Sequence, residues 1–149
     1  MQGLRWLQLS NDERDEFLGS GGTGVLSFAT EKNEPPVSIP VSYGYNEDES
    51  VLYFQLSFTP GGRKHDLIDR HVSFVVHDET PDGWHSVVAT GQLAELSDKP
   101  YESSIVQGMW AIDLPRVDIF EQPREDVTFE SYYLDPDRVS GRKEVATES

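Results

Sequence analysis

The chain contains no cysteine, which excludes a disulfide framework, thiolate catalysis and a cysteine-ligated zinc site. Lysine is nearly absent as well: Lys32, Lys64, Lys99 and Lys143 are the full set. With 12 Lys+Arg against 27 Asp+Glu, the formal net charge is -15, and so acidic a surface argues against a nucleic-acid partner. Apolar runs do not exceed strand length, Ser73 to Val76 being typical. The chain opens on Met1-Gln2-Gly3-Leu4-Arg5-Trp6 rather than on a basic stretch followed by an apolar one, so neither membrane nor secretory routing is expected, and a cytoplasmic location is. Also missing are G-x-S-x-G, a P-loop, and a G-x-G-x-x-G between strand and helix. Gly19-Ser20-Gly21-Gly22-Thr23-Gly24 precedes a strand and reads as a connector.

What is present starts with acid spread along the whole length, as in Asn11-Asp12-Glu13, Asn46-Glu47-Asp48-Glu49 and Asp135-Pro136-Asp137. Such patterning suits a halophilic cytosol, where salt screens the repulsion that like charges impose on a compact state. At 149 residues the chain suits a single domain that buries roughly two-thirds of its unfolded surface. The expected layout is one domain over 1–149, with an N-terminal helix and connector at 1–22 and a polar tail at 141–149.

Ser10 and Glu13 form a capping-box pattern, and the glycines from Gly19 supply a stop, so the first element is predicted as a helix over Asn11 to Leu18. Beyond it the period changes from 3.6 to 2. Strands are predicted at Gly24–Thr30, Val37–Tyr43, Val51–Leu56, Val72–Val76, Trp84–Leu96 and Thr128–Leu134, with turn chemistry at Tyr45–Ser50 and Asp78–Gly83. Pro40 marks an edge or a bulge, since it has no N–H for a ladder. Short helices are expected at about Arg63–Asp69 and Pro100–Met109. The fold class is mainly β: an antiparallel barrel or sandwich with a few peripheral helices.

The sharpest chemical signal is Pro60-Gly61-Gly62-Arg63-Lys64 opening the first of these short helices. A cation pair at a helix N-terminus opposes the dipole unless an anion lies beside it. A phosphate suits the position, with Gly62 admitting close backbone approach, Arg63 pairing bidentately and Lys64 adding a point charge. Arg63 and Lys64 could instead pair with Asp66 or Asp69 as a solvated terminus. His65, His71, His77 and His85 show no metal-ligand spacing, so no metal is expected. Trp84, beside Ser86, and Trp110 are candidates to wall a planar ligand.

The order of these pieces resembles the pyridoxamine 5'-phosphate oxidase-like family of FMN-binding split β-barrels, over about Gly24 to Leu96 and again at Phe129 to Leu134. Pro36 to Tyr45 looks like the family strand along the flavin ring, Gly62-Arg63-Lys64 like its Ser-Arg-Lys phosphate turn, and Trp84 to Gly91 like the strand that follows. The resemblance implies a split barrel with FMN as cofactor, bound between two subunits of a homodimer that oxidises or reduces a small molecule. Arg63 and Lys64 would hold the phosphate, Ser38, Ile39, Pro40 and Val41 would lie along the ring and ribityl chain, Ser86 would reach the cofactor, and Trp110 would come from the partner. Two family positions differ: Ser38 stands where an arginine is usual and Tyr43 where a lysine is. The basic, histidine-containing end of the true oxidases is also missing, so vitamin-B6 chemistry is not expected. Relatives on this fold bind deazaflavin or haem, so a non-enzymatic carrier or sensor is the alternative.

Overall fold

Runs in which β-branched and aromatic side chains alternate with small polar ones can bury one face of an extended chain and leave the other in solvent. The computed structural model describes residues 3–57, 68–96 and 129–147. Among them are β1 (Gly3–Gln8), α1 (Asn11–Leu18), β2 (Gly21–Phe28), β3 (Val37–Asn46), β4 (Val51–Ser57), β5 (His71–Thr80), β6 (Gly83–Glu95), β7 (Phe129–Leu134) and β8 (Arg138–Thr147). All the pairings are antiparallel, in the order β1-β8-β6-β5-β2-β3-β4-β7, and β7 returns to pair with β6. That last pairing closes β6, β5, β2, β3, β4 and β7 into a barrel and leaves β8 and β1 as an extension from it.

The long strand β6 makes this possible. One of its edges carries β5 from Gly83 to Gln92. The other is divided, with His85–Thr90 pairing with β8 and Leu93–Glu95 pairing with β7. The fold class expected from sequence, a small antiparallel split barrel, is therefore the one observed.

Alternation sends Leu26, Phe28, Val72, Phe74, Val87, Ala89, Phe54, Tyr132 and Leu134 into the core. Phe74 is its centre, with Tyr43 and Phe54 set edge-on against it at centroid distances of 5.2 and 4.9 Å. Such contacts are worth about 0.5–1.5 kcal/mol beyond the area they bury. A smaller cluster of Val51, Tyr53, Leu96 and Tyr133 lies on the opposite face of β4 and β7.

α1 has the bounds its capping signals predict: the Ser10 side chain accepts from the Glu13 N–H, and the Glu13 carboxylate accepts from the Ser10 N–H. It is tied to the barrel by β3. The Tyr43 hydroxyl donates to the Leu18 carbonyl at 2.9 Å and the Tyr45 hydroxyl to Asp15 Oδ1 at 2.6 Å. Burial is the main cause that pushes both phenols up to about 12. Lys143 of β8 donates to Glu13, and that bond, with the Ser10 N–H, holds the Glu13 carboxyl down at about 2 against its ordinary 4.5.

A carboxylate depressed in this way stabilises the fold fully above pH 4.5 and loses its contribution as pH falls through 4.5 towards 2. Glu13→Gln should therefore be less stable than the wild type at pH 7, and the gap should close as the melting temperature is followed from pH 5 to pH 2. An equal gap at every pH would separate Glu13 from acid sensitivity.

Two expectations change. Residues ahead of α1, placed in an N-terminal helix and connector, form strand β1, and Gly21-Gly22 already belong to β2. The stretch from Gly141, expected as a polar tail, lies in β8, held by β6 on one side and β1 on the other. Pro40 stands opposite Val25. Since β3 pairs with β4 only from Gly44 to Asn46, the edge of Val37–Tyr43 that faces away from β2 has no strand partner among the described residues, as a proline predicts.

Candidate outer-face binding site

In an antiparallel sheet, directly opposed residues share a face, so the register lays out the outside of the barrel in rows. The first row is Ser38, Ser27, Ser73, Thr90 and Arg138. It is a line of four hydroxyls ending in Arg138, with the Oγ atoms of Ser27 and Ser38 2.7 Å apart. The second row is Pro40, Val25, Val75, Val88 and Ser140, and its apolar part crosses four strands. Val25 is 41% exposed. The third is His77, Ser86 and Arg142. An apolar strip roughly 14 Å long, at about 4.8 Å per strand, is thus bordered on both sides by polar groups.

The sequence-predicted residues divide along this geometry. Ser38, Pro40 and Ser86 lie on the outer face. Val41 is buried in the core and Ile39 packs against it, so those two can meet a ligand on the outer face only through their backbone, at the unpaired edge of β3. Gly62, Arg63, Lys64 and Trp110 lie outside the described residues, as do nearly all of the expected 63–69 helix and the whole of the 100–109 helix. Trp84 is on the same face as Ser86 and 37% exposed. Its ring stacks on His77 with centroids 4.7 Å apart and 30° between planes.

Two neighbouring features complete the surroundings. A cleft of about 350 Å³ opens at the hydroxyl end of the face, lined by Ser27, Ser73, Thr90, His71 and Asp137 among others. At the other end of β3, where β3 and β4 part, Gln55 Oε1 is buried with no hydrogen-bond partner among the described residues. Tyr53 stands opposite Gly44, so Gln55, two residues on, is at the level of Ser42, which is itself buried. A buried acceptor without a donor is costly, and a ligand N–H would satisfy it.

The histidines do not gather. His77 stands opposite Ser86 while His85 stands opposite Asp78, which puts the two on opposite faces, His85 lying edge-on to Phe17 of α1. Among the described residues no cluster of ligating side chains could hold a metal. Sequence reasoning missed Val25, Val75 and Val88 as one surface, because short strands with apolar residues on both faces do not declare which face is inward. It also missed Arg142, having placed it in a tail.

A family model described as pyridoxamine 5'-phosphate oxidase matches residues 10–143. No curated protein matches the sequence. Among solved structures, an FAD binding protein from Mycobacterium smegmatis is 16% identical, with 94% of this chain and 98% of that one covered at a TM-score of 0.64. An FAD-binding protein from Mesorhizobium loti is 23% identical, over 98% of this chain and 100% of that one, at a TM-score of 0.61. An FAD and heme binding protein from Mycobacterium smegmatis is 13% identical, over 95% of this chain and 72% of that one, at a TM-score of 0.55. At these identities the likeness is one of fold.

Proposed function

Because the chain belongs to the pyridoxamine 5'-phosphate oxidase family, we propose that it binds FMN on the outer face of the barrel, between two copies of itself, and acts as an oxidoreductase on a small molecule. The observation that carries this reading is the apolar row of Pro40, Val25, Val75 and Val88 with polar rows on both sides. A flavin is a planar apolar ring with polar edges, and its ring N–H is the kind of donor that the buried Gln55 oxygen lacks. The free edge of β3 offers backbone groups to ring heteroatoms, and Ser38 and Ser86 offer hydroxyls. Arg63 and Lys64 are assigned the phosphate on the dipole argument made from sequence.

When bound, the flavin supplies hydride transfer; this chain supplies position, dryness and charge. The apolar row excludes water from one side of the ring. A second copy is the occupant proposed for the other side, because monomeric proteins seldom leave an apolar strip of this length uncovered. Its like charge, a formal -15 per chain, makes that association tighter as salt rises.

Val75→Glu tests the face. A charge set into the middle of the row is unpaired once covered, so the dimer should weaken by more than about 100-fold in sedimentation equilibrium and flavin retention should fall with it. A variant that stays dimeric with full flavin would move the interface elsewhere.

The second reading is a haem carrier, favoured by the exposed His71 on the rim of the cleft. It requires an axial ligand, so His71→Ala would abolish a Soret band if this reading held.

A further inference from the structure

The third row of the outer face combines groups that the sequence kept apart. His77 of β5 and Arg142 of β8 each stand directly opposite Ser86 of β6, one on either side of it. His77 is fixed by its stack on Trp84. Arg142 is exposed and makes no ion pair among the described residues, in a chain where acids outnumber Lys+Arg by 27 to 12. Its neighbour Lys143 points to the other face and is taken by Glu13. On the same face, Glu79 of β5 and Glu144 of β8 each stand two residues further along their strands, and among the described residues no ion pair joins either to the row.

A guanidinium, a hydroxyl and an imidazole N–H in line are all donors. Next to them lies the apolar row. The three donors fit the anionic end of a molecule held beside the apolar row on which the flavin ring is proposed to lie.

We propose that His77, Ser86 and Arg142 bind the carboxylate or phosphate of an organic anion, which is the class of substrate the bound flavin oxidises or reduces. The assignment of redox partner rests on the flavin reading; the anion site does not. Arg142 supplies the permanent charge. His77 supplies a hydrogen bond. Ser86 sits between them.

The test uses benzoate as the probe and benzyl alcohol as its uncharged counterpart. In a Trp6→Phe/Trp110→Phe background, which leaves Trp84 as the one tryptophan of the chain, fluorescence is titrated with each, with and without FMN added. Benzoate should quench saturably and benzyl alcohol should bind at least roughly tenfold more weakly. Losing one charge-assisted contact is worth about one to two decades of affinity, so Arg142→Met should raise the benzoate dissociation constant about 10- to 100-fold, and His77→Gln should raise it less. FMN affinity should stay within about threefold in both variants. Equal binding of benzoate and benzyl alcohol, or unchanged benzoate affinity in Arg142→Met, would overturn the proposal. A loss of FMN affinity in these variants would also overturn it, by giving the row to the cofactor. Failure to take up FMN while benzoate still binds in an Arg142-dependent way would sink the flavin reading and leave the anion site standing.

Discussion

Arg63→Glu is expected to leave the barrel folded and dimeric in high salt and strip it of flavin. Each charge-assisted hydrogen bond to a phosphate is worth about 1.5–3 kcal/mol, and reversal of the charge adds repulsion to the loss. FMN affinity should fall by more than about 100-fold, which corresponds to about 3 kcal/mol. Lys64→Ala, which removes a point charge and leaves the bidentate partner, should cost about one decade less. Riboflavin discriminates the cause. Without the phosphate it should bind the wild type and Arg63→Glu alike, since the contacts that remain lie on the outer face. A variant that loses riboflavin as readily as FMN has lost the fold or the face, and Arg63 would then not be a phosphate ligand. Unchanged FMN stoichiometry in both variants would remove the Gly62-Arg63-Lys64 turn from the site.

The second large effect concerns the core. Gly24 lies where β2 crosses the aromatic centre, and a Cβ built there would stand 2.6 Å from Phe74 Cζ and 2.6 Å from the Val75 carbonyl oxygen. Neither neighbour can yield easily: the phenyl ring is fully buried and wedged between Tyr43 and Phe54, and the carbonyl belongs to the β5 ladder. Gly24→Ala should therefore cost about 3 kcal/mol by overpacking, a fall of roughly 6–12 °C in melting temperature for a chain of this size. Gly22→Ala is the control. The nearest atoms to its Cβ would be those of the Tyr43 side chain, at 3.4 Å, ordinary van der Waals contact, and its melting temperature should stay within about 2 °C of the wild type. Equal behaviour of the two variants would mean that Phe74 is not packed as described.

Both predictions depend on which parts of the molecule announce themselves in sequence. α1 did so fully, because a capping box is a local device whose two reciprocal bonds need only residues three apart. β3 to β7 were legible as strands because each carries a run of β-branched and aromatic residues between turn formers. Pro40 even indicated the unpaired edge. β1 and β8 were not legible, for a shared reason. Neither belongs to the closed barrel, so neither has a fully apolar inward face. β1 leaves Trp6 48% and Leu7 38% exposed on alternate sides, which erases the period of two. β8 alternates Arg138, Ser140 and Arg142 on one side with Val139 and Gly141 on the other, and Gly141 is required only because Leu9 fills the space a side chain would take, 2.9 Å from its Cβ position.

The candidate site was half legible for the same physical reason. Ser38, Pro40 and Ser86 were singled out one strand at a time, and they do share a face. What no single strand states is the register between strands. Only the pairing of Val25 with Val75 and of Val75 with Val88 turns separate valines into a continuous surface, and only the pairing of Ser86 with Arg142 brings a residue of the supposed tail beside a candidate cofactor contact. Acidity was visible at once. Its consequence, that an exposed arginine with no ion pair among the described residues is conspicuous, needed the structure.

The most direct measurement is the visible absorption spectrum of the protein purified from high salt, followed by heat release and mass analysis of any chromophore. A flavin spectrum and release of about one FMN per chain are expected. A colourless protein that takes up no added FMN in high salt, or one that shows a Soret band in place of the flavin bands, would contradict the flavin reading.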